Sequence, residues 1–192
     1  MNDTGEKRLW LLRHAPVLAE PGLCYGATDL EAEAEATLAA AQRIAPSLPA
    51  GVVLRSSPLR RCAALADAIA ALRPGLAVQH DARLAEMNFG AWEGQPWSAI
   101  AREDFEAWTG NFAEAPAGVH GESVRVFMQR VAAAHDEWLA GGENALWVTH
   151  AGVLRAVTLL QRGIRCPEAA TDWPAGELAF GGWLTFGRPS AG

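Results

Sequence analysis

Two histidines carry the first chemical signal in this sequence, because each closes an apolar run that reads as a buried strand. Leu9, Trp10, Leu11 and Leu12 lead into Arg13 and His14, and residues 145–149 lead into His150. Runs of this kind suit parallel strands covered on both faces. In open α/β sheets the carboxyl ends of such strands are where ligands bind. A neutral imidazole there can act as a nucleophile, and a guanidinium beside it can grip a phosphoryl group with two parallel hydrogen bonds. Taken singly, Arg13-His14 reads as well as a surface pair, and His150 as a satisfied buried histidine. Two strand ends of the same kind suggest one shared site.

Further segments hold candidate groups, each with a plainer alternative. Ser56-Ser57-Pro58-Leu59-Arg60-Arg61 leads from a strand end into a helix, so one arginine can point into a site beside Arg13. The serines and proline also explain a helix boundary, and the arginines also suit a solvated helix face. Glu86 stands among apolar and aromatic neighbours in the stretch 84–94, where a raised pKa would fit it for general acid work. An exposed loop glutamate is the alternative. At Thr149-His150-Ala151-Gly152 a strand passes at once into a helix, and N–H groups near Ala151 and Gly152 suit an anion.

The elements that must position these groups alternate, which predicts a mostly parallel sheet. Strands are expected at 8–13, 52–55, near 76–79, at 145–149 and finally at 178–186, the last weakened by Gly181 and Gly182. Helices are expected at 31–45 until Pro46, at 59–72 before Pro74, at 122–139 and at 153–161. Within the third, Val124, Phe127, Met128, Val131 and Ala134 follow the 3.6-residue period. A Trp-rich, lid-like insertion spans 81–119, with a helix over 97–108. No repeat or linker marks a boundary, so one domain over residues 1–192 is expected.

Composition narrows the function classes. At 192 residues, 50% of them hydrophobic, the chain can bury a sizeable core. A net charge of −6 argues against nucleic acid as a partner, since a basic stripe would be needed. Cys24, Cys62 and Cys166 lack CxxC spacing and read as reduced thiols of a cytoplasmic protein. The N-terminal MNDTGEKR has no apolar leader core, and no run approaches the roughly 18 residues of a membrane span. There is no Walker A loop, HExxH pair or carboxylate cluster to recruit a metal, so neither a metal nor another cofactor is expected. Oligomeric state is not legible.

Together the four segments RHA, SPLRR, EMNFGAWEG and THAG, in this order across residues 8–155, resemble the histidine phosphatase superfamily. The resemblance implies a phosphoglycerate mutase-like fold, a three-layer α/β/α sandwich with a mostly parallel central sheet. It implies a small phosphorylated substrate, with His14 as the nucleophile that becomes a phosphohistidine. Glu86 would protonate the leaving oxygen, while Arg13, Arg61 and His150 bind phosphoryl oxygens. In the SPLRR alignment Arg61 rather than Arg60 enters the pocket, with Leu59 facing the core. Glu122, in Gly121-Glu122-Ser123, matches an element common near such sites, and equally a carboxylate favouring a helix N-terminus.

The chain departs from the family's RHGxTxxN start: Ala15 replaces Gly, Pro16, Val17 and Leu18 follow, and the phosphate-binding Asn has no counterpart. The loop around Tyr25, Gly26 and Thr28 is the candidate to compensate. With RHxPV, the stretch 21–30 looks like the bacterial α-ribazole phosphatase branch, which acts in cobalamin assembly. Trp92, Trp97 and Trp108 offer either an apolar wall for a benzimidazole or ordinary packing. A broad-specificity phosphatase is the alternative. A mutase is disfavoured by acidic Glu93, Glu103, Asp104, Glu106 and Glu114 in the insertion, though Arg83 and Arg102 could also face the site. A non-catalytic phosphate-binding scaffold is least favoured, since His14 and Glu86 are both present.

Overall fold

The computed structural model describes residues 7–176 and 178–187, so the leader reading at the N-terminus lies almost wholly outside the described residues. One sheet organises the chain. It contains β1 (Arg8–Arg13), β2 (Val53–Ser56), β3 (Val78–His80), β4 (Ala145–Thr149) and β5 (Trp183–Gly187), in the order β3-β2-β4-β1-β5. All neighbours pair in parallel except β5, which runs antiparallel to β1 at the edge. The helices are α1 (Ala34–Ile44), α2 (Arg60–Leu72), α3 (Arg102–Gly110), α4 (Val124–Gly141) and α5 (Ala151–Gln161).

Alternation along β1 and β4 builds two cores. Leu9, Leu11 and Trp147 pack with Phe127, Met128 and Val131 of α4 and Val153 and Val157 of α5. Trp10, Leu12, Leu146 and Val148 pack with Ile44 of α1 and Leu65 and Ile69 of α2 on the other face. Both faces are covered, which is why the strands read as unbroken apolar runs. The result is a three-layer α/β/α sandwich. Truncating Leu11 or Leu12, both fully buried, would cost about 2–5 kcal/mol.

Several boundaries differ from expectation for identifiable reasons. Residues 31–33 are extended because the Leu18 N–H bonds the Glu31 carbonyl and the Glu33 N–H bonds the Pro16 carbonyl, so α1 starts only at Ala34. The expected helix at 97–108 is a 3-10 turn at Trp97–Ala99, then extended backbone at Ile100 and Ala101, then α3. Glu103 and Asp104 in the first turn of α3 suit the later start. Helix α4 begins after Ser123, whose Oγ accepts from the Val126 N–H at 3.3 Å, and this leaves Glu122 outside it. Helix α5 starts directly after His150. Residues 178–182 precede β5 rather than belong to it. Gly181, at φ 66°, turns the chain and gives its N–H to the carbonyls of Arg13 (3.2 Å) and His14 (3.1 Å). Among the described residues no helix is long and apolar enough to cross a membrane.

Candidate active site

The register of β1 on β4 sets Arg13 opposite Thr149, so His14 and His150 leave adjacent strands side by side. The His14 N–H extends the ladder by one bond to the Thr149 carbonyl at 3.0 Å. The two imidazole centroids lie 5.2 Å apart at an interplanar angle of 62°. A pocket of about 210 Å³ opens at this strand end, and Arg13, His14, Arg61, Glu86 and His150 all line it. The structure thus gathers five groups from four sequence segments at one place.

His14 is 3% exposed, and its Nδ1 lies 2.7 Å from the Ala15 carbonyl oxygen. A carbonyl only accepts, so Nδ1 carries the proton and Nε2 keeps its lone pair. Burial, then the Arg61 charge, bring the His14 pKa down to about 3; Arg13 adds to this and the Ala15 bond opposes it. The ring is neutral around pH 7. His150 is fully buried and is also held well below the usual histidine range, by burial and then by Arg61 and His14.

Arg61 is buried, whereas Arg60 points outward and pairs with Glu31. Leu59 is only half-buried. Arg61 donates Nε–H to His150 Nδ1 (3.3 Å), one Nη–H to the Thr28 carbonyl (2.8 Å) and one to the Gly26 carbonyl (2.6 Å). Three of its five donors are thereby fixed, and the fork is aimed. Because Arg61 only donates, His150 Nδ1 accepts, and its Nε2–H meets Ser57 Oγ at 2.8 Å. Both His150 nitrogens are engaged within the protein. Arg13 donates to the Leu178 carbonyl at 2.6 Å, and its guanidinium carbon lies 3.7 Å from the centroid of the Phe180 ring.

The loop from Tyr25 to Thr28 supports the pocket indirectly. Glu93 accepts the N–H groups of Gly26, Ala27, Thr28 and Phe89 at 2.8–3.0 Å, and the Thr28 hydroxyl at 2.5 Å. Those amides are therefore not offered to a ligand; the carbonyls of the same loop hold Arg61. A Cβ on Gly26 would fall 1.7 Å from the Met87 carbonyl oxygen, so only glycine fits there. Burial pushes the Glu93 pKa up, but these hydrogen bonds outweigh it and hold the carboxyl below its usual range. Tyr25 lines the pocket directly.

Glu86 reaches the pocket from the loop before Met87, and its Oε2 accepts the Gly152 N–H at 3.0 Å. Of the N–H groups expected to hold an anion near the start of α5, that of Gly152 is thus taken by this side chain of the protein itself. Its loop is clamped by Arg130 of α4, which donates to the carbonyls of Arg83 (2.9 Å), Ala85 (2.7 Å) and Glu86 (2.9 Å). Arg130 also bridges both oxygens of Glu122 at 2.8 Å, while Glu122 Oε2 accepts the Asn88 N–H at 2.9 Å. Glu122 thus braces the loop and serves no helix N-terminus.

Other expectations about the mouth are corrected. Arg83 pairs with Asp81 and Glu137, and exposed Arg102 pairs with Glu106; neither lines the pocket. Glu93 is a ligand of the loop rather than mouth charge, and Glu114 pairs with Arg125. Trp92 is buried against Trp97, Phe105 and Trp108, so of the three tryptophans only Trp97 lines this pocket. Arg155, Phe180, Arg130 and Ser57 were not anticipated in these roles. Arg155 had a readable signal, lying four residues after Ala151 on one face of α5. Phe180 had none, since the turn at Gly181 alone brings it to Arg13. Among the described residues no group of three His, Cys, Asp or Glu could hold a metal ion.

The arrangement can present an unprotonated imidazole nitrogen, two guanidinium groups and a carboxyl group to one phosphoryl group. Comparison with known proteins agrees in kind. Residues 9–171 match the family described as the histidine phosphatase superfamily (branch 1). The chain is 33% identical over 167 residues to a Hydrogenobacter thermophilus protein named "Putative phosphoserine phosphatase 2", covering 82% of this chain and 80% of that one. The mycobacterial glucosyl-3-phosphoglycerate phosphatase in complex with VO3 is similar at a TM-score of 0.77 and 26% identity, over 93% of this chain and 92% of that chain. A phosphoglycerate mutase from Thermus thermophilus is similar at a TM-score of 0.68 and 30% identity, over 93% and 91%.

Proposed function

The chain belongs to the histidine phosphatase superfamily and is a phosphoric monoester hydrolase; from that premise we propose that it works in two steps through a phosphohistidine on His14. The observation that carries this reading is the convergence of Arg13, His14, Arg61, Glu86 and His150 on one pocket. His14 Nε2 attacks the phosphorus with its lone pair, and the bond to the ester oxygen breaks. Glu86, as the acid, supplies the proton that the departing alkoxide needs. Water then attacks the phosphohistidine, giving a proton to Glu86 and returning His14 to its neutral form.

Phosphoryl transfer spreads charge over three oxygens, and a phosphomonoester carries about −1.5 to −2 at pH 7. Arg13 and Arg61 meet that charge. His150 joins them by exchanging its neutral bond to Ser57 for a charge-assisted one to a phosphoryl oxygen, which is the stronger of the two. The proposal requires no metal.

For the substrate we propose α-ribazole 5′-phosphate, placing the enzyme in cobalamin assembly. The likeness of the RHxPV start and the 21–30 loop to that branch supports it. A second reading takes phosphoserine, after the named relative, with Arg155 in the pocket wall as the cation for its carboxylate. We place the enzyme in the cytoplasm as a single domain, in keeping with three free cysteines.

The test measures phosphate release from α-ribazole 5′-phosphate, phosphoserine and 3-phosphoglycerate, with EDTA present. In parallel, mass spectrometry of alkali-quenched enzyme looks for a phosphate on His14. His14→Ala should abolish both the adduct and turnover. Turnover without any adduct would sink the phosphohistidine, and equal rates on all three esters would remove the cobalamin assignment.

A further inference from the structure

Next to the phosphate pocket lies a second cavity of about 250 Å³. Glu86, Phe89 and Arg155 line both, which makes the two neighbours across the Glu86 carboxylate. Beyond them the wall is aromatic. Phe105 and Trp108 come from α3, Phe112 from just after it, Phe127 from α4 and Trp173 from the segment before β5. Their rings form a continuous array, with centroid separations of 5.7 Å for Phe105–Trp108, 5.3 Å for Trp108–Phe112 and 6.0 Å for Phe112–Trp173. Rings in mutual contact at these distances hold one another in place, so the wall is formed before any ligand arrives. Among the described residues, Glu86 and Arg155 are the only charged groups in the lining. The Trp108 indole N–H is enclosed and has no acceptor among the described residues.

We propose that this cavity seats the alcohol half of the phosphomonoester, and that this half carries a planar, uncharged aromatic ring. The inference rests on the reading above, in which the ester oxygen leaves toward Glu86. The phosphoryl group held between Arg13 and Arg61 then fixes where the organic group continues: past Glu86 and into the aromatic cavity. An apolar chamber with few polar groups at its entrance is the usual make-up of a small-molecule site. An engineered apolar cavity of about 150 Å³ accepts benzene, so this one has room for a larger ring. A glycerate or an amino acid would place its charges against this wall with Arg155 as the one available cation.

The decisive comparison uses two primary alkyl esters of similar leaving-group acidity, naphthylethyl phosphate and propyl phosphate. Wild-type enzyme should favour the naphthylethyl ester in kcat/KM by at least about 30-fold, through the ring surface removed from water. Thr109→Trp, which adds a ring to the cavity from α3, should bring that preference below about threefold by filling the space the substrate ring needs. A measurement independent of any variant is titration of nitrogen-labelled wild-type protein with naphthylethanol, in which the Trp108 indole N–H resonance should shift. A preference near one, a preference untouched by Thr109→Trp in folded protein, or an unmoved Trp108 signal each overturns the subsite. Loss of the phosphatase reading looks different: neither ester is hydrolysed, yet the Trp108 signal still shifts.

Discussion

Gly152 leaves vacant the space that the Glu86 carboxylate fills: a Cβ on Gly152 would stand 2.1 Å from Glu86 Oε1. The same residue donates its N–H to Glu86 Oε2 at 3.0 Å, so one backbone position both admits and orients the proposed acid. Gly152→Ala should therefore displace the carboxylate without touching His14. We expect turnover of alkyl phosphates, whose leaving group needs a proton, to fall on the order of 10²-fold. Turnover of p-nitrophenyl phosphate should fall far less. Equal losses on both esters would remove Glu86 from the acid role.

Arg130 acts on the same loop from the other side. Arg130→Met would leave the carbonyls of Arg83, Ala85 and Glu86 without this donor, and the Glu122 carboxylate with only the Asn88 N–H. The expected cost is about 2–4 kcal/mol, read as a lower urea midpoint at unchanged slope. Surviving enzyme should show the same leaving-group selectivity as Gly152→Ala, and Arg130→Lys should recover only part of it. An unchanged selectivity would mean that the clamp serves stability alone.

Glu93 has a different reach. Glu93→Gln exchanges a carboxylate that accepts from four amides and a hydroxyl for a group with one acceptor oxygen. The loop carbonyls that aim Arg61 should loosen with it. Inhibition by inorganic phosphate should weaken on the order of 10-fold, with KM rising more than kcat falls. A drop in kcat alone would contradict this route.

Acid should destabilise the protein before its carboxylates titrate. His14 is held at about 3 and His150 well below 6.5, while both rise to about 6.5 when the chain unfolds. Below pH 6.5 the unfolded chain binds protons that the folded one does not, so stability present above that pH is lost as pH falls. Each ring contributes about 1.4 kcal/mol per pH unit between 6.5 and its folded pKa. Urea unfolding at pH 7 and pH 5 should show this slope, and His14→Gln should flatten it by one ring's share. A wild-type midpoint equal at both values would show that the rings are already protonated in the native state.

Much of the site was legible because it is built where strands end. Uninterrupted apolar residues must lie between two helix layers, so the first charge after them marks the rim, and Arg13-His14 and His150 announced themselves that way. Position after the end of β2 pointed to one of Arg60 and Arg61, and the family resemblance, not position, chose Arg61. The supporting groups left no such trace. Arg130 and Glu93 act by side chain on backbone, at partners that, Phe89 apart, lie 44 to 67 residues away, and such bonds impose no period or spacing on the sequence. Helix α1 starts later than its composition predicts because pairing with residues 16–18, a tertiary demand, overrides the helix preference of an Ala/Glu run.

The strand order has a consequence for how the molecule is made. Among the described residues the first strand, β1, lies between β4 and β5, the last two in sequence. Until β4 is made, β1 lacks both sheet neighbours, so its unpaired backbone edges and its apolar faces stand open on a nascent chain. Pairings this distant in sequence form slowly and expose surface prone to aggregation. Synthesis should therefore pass through a stage in which α1 and α2 have been made while the pocket at the strand ends does not yet exist. It is assembled when β4 sets His150 beside His14 and the turn at Gly181 closes Phe180 over Arg13.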